Sequence, residues 1–99
     1  MLHIVNKSPF ERNSLESCLK HAVKGSAILL IEDGIYAALK DTQATAQVQA
    51  AMKECTVYVL QPDVEARGMQ GRVLEGVMPV DYAGFVDLTA GHNAVQSWL

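Results

Sequence analysis

The sequence predicts an α/β fold with a mostly parallel sheet of about four to five strands, covered by helices on both faces. Three observations carry that prediction. Short apolar runs such as "AILLI", Ala27–Ile31, do not alternate with polar residues, as expected of strands buried on both sides. Helical patterns and turn signals separate those runs, and an alternation of strand and helix implies parallel crossovers. The chain has 99 residues, enough for one domain spanning 1–99 with a limited core.

The opening "MLHIV" reads as the first buried strand, and "NKSPFERN" follows as a polar turn around Pro9. Asn13 with Glu16 three residues on has the form of a capping box, so a first helix is expected from about Ser14 to Lys24, stopped by Gly25. "AILLI" is the second strand, "EDG" a turn and "IYAALK" a short helical segment. "TQATAQVQAAMK" is rich in Ala and Gln and reads as a second substantial helix, before the β-branched third strand "CTVYVL".

In "QPDVEARG", Pro62 suits the first helical turn, Asp63 complements its dipole and Gly68 ends it. "GMQGRVLEG" is a glycine-rich loop. "VMPVD" is a fourth strand, which Pro79 assigns to a sheet edge because it has no N–H for a ladder bond. Asp81 is placed to cap a last helix with Tyr82, Phe85, Val86 and Thr89 on one face, and "HNAVQSWL" is expected to be a tail. Trp98, the one tryptophan, is left with two destinations, the chain's own core or a partner.

Composition narrows the function. Charged residues are 19% against 49% hydrophobic, below the roughly 25% charge usual in soluble domains, so apolar surface is expected to be covered by other subunits. A net charge of -3 without a Lys/Arg cluster argues against nucleic-acid binding. No apolar run approaches the roughly 20 residues of a membrane span, and the N-terminal stretch lacks a signal-peptide core, so a cytoplasmic protein with no membrane partner is expected. Cys18 and Cys55 are then read as free thiols.

No phosphate-binding glycine loop, H-E-x-x-H or C-x-x-C is found, and His3, His21 and His92 are scattered, so neither a cofactor nor a metal is expected. Glu32 and Asp33 follow a strand on the side where open α/β sheets bind ligands, but turn chemistry explains them. A receiver-type phosphoacceptor is disfavoured because Asn6 and Gln61 stand where acidic residues are needed.

Cys18 is the remaining candidate. On the first helix it lies at the margin of the stripe Leu15, Leu19, Ala22 and Val23, beside Ser14 and His21, so partial exposure is expected. Its chemistry stays open between packing and reactivity, with a protonated His21 able to favour the thiolate. Cys55, at the start of a strand, is read as packing.

The segments "MLHIVNKSPFERNSLESCL", "LLIEDGIYAAL", "YVLQPDVEARG" and "VDYAGFVDLTAGHNAVQSWL" together resemble the DsrH/TusB family of sulfur-relay subunits over nearly the whole chain. The resemblance implies a DsrE-like three-layer sandwich. It also implies a heterohexamer with two copies each of this chain, a DsrE/TusD-like subunit and a DsrF/TusC-like subunit. A TusA-like donor would deliver sulfur as cysteine persulfide and a DsrC/TusE-like acceptor would receive it. The main active cysteine would lie on the DsrE/TusD-like partner. Cys18 matches a first-helix cysteine of DsrH-type chains, a candidate second sulfur site, and so favours dissimilatory sulfur oxidation. The alternatives are the TusB-type relay for tRNA 2-thiouridine synthesis and a purely structural subunit.

Overall fold

The computed structural model describes residues 1–98. Five strands, β1 (Leu2–Val5), β2 (Ala27–Leu30), β3 (Thr56–Leu60), β4 (Met78–Val80) and β5 (Val95–Trp98), form one sheet in the order β4-β3-β2-β1-β5. All four pairings are parallel. Pro79 lies in edge strand β4, where its missing N–H costs no internal ladder bond.

The period-2 geometry of the central strands divides the core in two. Val5, Ile28, Leu30, Val57 and Val59 face a layer made by α1 (Ser14–His21), a 3-10 segment (Glu32–Ala38), α2 (Thr45–Ala51) and α3 (Gln61–Ala66). Leu2, Ile4, Ala27 and Leu29 point the other way, towards α4 (Tyr82–Ala90), which contributes Phe85 and Leu88. Every residue of β1 and β2 is buried, which is why these runs show no polar alternation. Each fully buried Leu, Ile or Val contributes about 1.5–3 kcal/mol, so β1 and β2 anchor the sandwich from both sides.

Several local expectations change. The capping box at Asn13 does not form: Asn13 has φ −87° and ψ 11°, not the extended backbone of a cap, and its side chain caps nothing. Helix α1 ends at His21, not Lys24, and Gly25, at φ +89°, serves the turn beyond it. Residues 35–38 of "IYAALK" fall in the 3-10 segment beginning at Glu32, and α2 starts three residues later than the Ala/Gln-rich stretch suggested.

Asp81 does cap α4, its Oδ1 accepting the Gly84 N–H at 2.8 Å. The buried face of α4 is nevertheless Phe85 with Leu88, while Tyr82 and Val86 are 63% and 61% exposed. The largest correction is the C-terminus. The expected tail contains β5, which pairs with β1 from Leu2↔Val95 to Val5↔Trp98 and completes the sheet. Its residues are mostly exposed, so hydrophobic patterning carried almost no strand signal there.

Candidate functional site

Helix α1 lies on the sheet with Ser14, Leu15 and Cys18 inward, a spacing of three or four residues that places them on one face. Cys18 is 0% exposed, not at a margin. The expected stripe extended to Ala22 and Val23, but the helix stops before them, Val23 is 67% exposed, and the buried face rotates from Leu19 towards Cys18. Burial pushes the Cys18 thiol up to about 12, and the Cys55 thiol adds to the shift. At neutral pH it is therefore protonated, the unreactive form.

His21 does not reverse this. Its Nδ1 is 2.8 Å from the Ser17 carbonyl and its ring centroid 5.2 Å from that of Trp98, so its packing partner is the indole. Trp98 in turn donates its indole N–H to His3 Nδ1 at 3.1 Å. Two of the three histidines that look scattered in sequence thus flank one tryptophan, and Trp98 docks on the chain's own core. Burial, then the positive N-terminus and His21, lower the His3 pKa.

Cys55 is the more accessible thiol. It lines an open groove of about 450 Å³ between α1 and α2, together with the apolar Leu19, Ala22, Ala50 and Ala51 and the charged Glu16 and Lys20. Its Sγ donates to the Val23 carbonyl at 3.6 Å. Burial raises its pKa, the charge of Glu54 adds to that, and the Ser26 N–H opposes both.

Glu32 and Asp33 lie past the end of β2 as expected, and both are engaged structurally. Asp33 Oδ1 accepts from Arg67 Nε at 3.1 Å and from Nη2 at 3.0 Å. The Glu32 N–H donates to Asp63 Oδ2 at 2.6 Å, which holds Glu32 in a left-handed conformation at φ +49°. These contacts tie the start of the 3-10 segment to α3. Among the described residues no three His, Cys, Asp or Glu side chains gather as a metal site. No helix there is long and apolar enough to cross a membrane.

A family model described as "DsrH like protein" matches residues 7–95. The chain belongs to the DsrH family. Proteins named TusB are full-length relatives: that of Pectobacterium parmentieri is 36% identical, with 99% of this chain and 100% of the relative covered. The TusB of Shigella flexneri is 33% identical at the same coverage. Among solved structures, the YchN protein of Escherichia coli superposes with a TM-score of 0.79 at 16% identity, covering 97% of each chain. MTH1491 of Methanobacterium thermoautotrophicum, a protein of unknown function, gives 0.75 at 17% identity over 97% of this chain and 95% of its own. At those identities the two structures establish the fold, an α/β sandwich on a parallel sheet.

For this DsrH-family chain, sequence reasoning offered Cys18 as its candidate and missed the His3–Trp98–His21 cluster and the groove at Cys55. The cluster joins β1, α1 and β5, elements far apart in sequence, so no local spacing could announce it. One signal was available. A helix after β4, stopped near Gly91 and followed by Val95 and Trp98, has the form of a crossover with a returning strand.

Proposed function

We propose that this chain is a subunit of a sulfur-relay complex and assembles with TusC-like and TusD-like partners. Full-length similarity to proteins named TusB carries the reading. Of the two relay branches, tRNA 2-thiouridine synthesis is the better supported, because those relatives bear the TusB name. The Cys18 argument for dissimilatory sulfur oxidation is weaker than the sequence suggested, since the thiol is fully buried. The complex is a cytoplasmic heterohexamer, two copies of each subunit, receiving sulfur from a TusA-like donor and passing it to a DsrC/TusE-like acceptor.

In each transfer an attacking thiolate bonds to the outer sulfur of a donor persulfide, the donor's S–S bond breaks, and its thiolate leaves. A cysteine on the TusD-like partner performs the main step. Cys18 is an accessory acceptor, and its loading waits on the opening of α1. The test is a strain lacking this chain. Loss of 2-thiouridine from its tRNA, restored by the gene in trans, is the expected result; normal thiolation with impaired sulfur oxidation would overturn the branch assignment. Intact mass of the co-purified complex after exposure to a persulfidated donor tests Cys18. One added sulfur on this chain, absent in Cys18→Ala, is expected, and sulfur on a partner alone would make this chain purely structural.

A further inference from the structure

Strand β5 is weakly held apart from one side chain. It is an edge strand, hydrogen-bonded among the described strands to β1 alone, with Val95, Gln96 and Ser97 exposed. Trp98 alone among its residues packs into the core, and the Trp98 indole reaches His3, which is 2% exposed.

The bond between them has a strict protonation requirement. An indole N–H only donates, so His3 Nδ1 must be bare and the neutral ring must carry its proton on Nε2. A proton on Nδ1 would set two N–H groups against each other at 3.1 Å. Among the described residues, the charges that act on His3 are positive. Next to β1 lies the Met1 ammonium, and α1 brings the His21 ring within 5.2 Å of the same indole, centroid to centroid. Strand β2 places Ile28 opposite His3 and β5 places Gln96 there; neither strand has a titratable side chain. Lys20 on α1 is paired with Glu16 at 3.4 Å.

We propose that β5 is fastened by a proton-sensitive latch, in which neutral His3 accepts the Trp98 indole N–H and protonation of His3 releases the strand from the sheet edge. His3 takes up a proton more readily when β5 is released than when it is docked, so docking is complete above the ordinary histidine value of 6.5 and is lost as pH falls below it. Release bares the backbone N–H and C=O groups of β1, a new edge able to pair with another strand.

The 99-residue chain carries its own reporter, since Trp98 is its sole tryptophan. Tryptophan emission and amide exchange of residues 95–98 are followed from about pH 8 to about pH 5, with exchange corrected for its intrinsic pH dependence. A red shift with selective loss of β5 protection, its midpoint below 6.5 and reversible, is expected. His3→Asn, with an oxygen near the Nδ1 position and no titration, should abolish it; His21→Gln should retain it. Unchanged β5 protection across the range, or a transition kept in His3→Asn and lost in His21→Gln, overturns the latch. If His3→Asn does not fold, nitrogen NMR of the wild-type His3 ring decides: a neutral ring protonated on Nε2 supports the latch, and a proton on Nδ1 refutes it.

Discussion

Replacing Cys55 with alanine leaves Cys18 as the single thiol and turns its burial into a measurable rate. In the wild-type closed structure, with its pKa at about 12 rather than the ordinary 9.0, Cys18 carries roughly a thousandfold less thiolate at pH 8, and burial, the larger cause of that shift, is kept in Cys55→Ala. That direct route is further blocked because the side chain is 0% exposed. Reaction therefore proceeds through an open form in which α1 has lifted and the thiol has regained its ordinary acidity. Lifting α1 uncovers Leu15 as well as Cys18, which costs about 2 kcal/mol or more, or at least about 30-fold in population. Alkylation of Cys55→Ala by iodoacetamide, followed by intact mass, should be slower by at least about 30-fold than in the urea-unfolded chain. Sub-denaturing urea should accelerate it. A native rate within about threefold of the unfolded rate would refute the burial argument and make Cys18 a directly accessible sulfur acceptor.

Two further outcomes follow from the backbone. Asp81→Ala removes the cap bond to Gly84 and should lose about 1 kcal/mol by urea denaturation, whereas Asn13→Ala, where the side chain caps nothing, should stay within about 0.5 kcal/mol; equal losses would contradict the capping geometry. Gly34→Ala would drive a methyl group into the Val5 carbonyl, with Val5 C only 2.9 Å away, so backbone must move. A loss of about 2 kcal/mol, roughly 8–16 °C in Tm, is expected, and a change under about 2 °C would refute the close approach.

The fold class was legible in the sequence because its signals are local. Runs rich in apolar residues identify β1, β2 and β3, Pro79 assigns β4 to an edge, and Asp81 marks the start of α4. Where a position is settled by elements distant in the chain, local pattern is silent. Strand β5 exposes most of its residues and exists because β1 offers an unpaired edge, which no window around "VQSW" reveals. Asn13 and Glu16 have the right spacing for a capping box, but the Pro9–Arg12 turn delivers the chain to α1 with the wrong backbone angles.

Cys18 illustrates the same division. Its sequence neighbours put it on an amphipathic helix, and similarity over the whole chain gives the family. The rotation of that helix against β1 and β2 decided whether the thiol meets solvent, because burial depends on which face the sheet accepts and not only on which residues share one. The meeting of His3, Trp98 and His21 was likewise decided by tertiary structure alone: three side chains spread from residue 3 to residue 98 become neighbours only after β5 has closed the sheet.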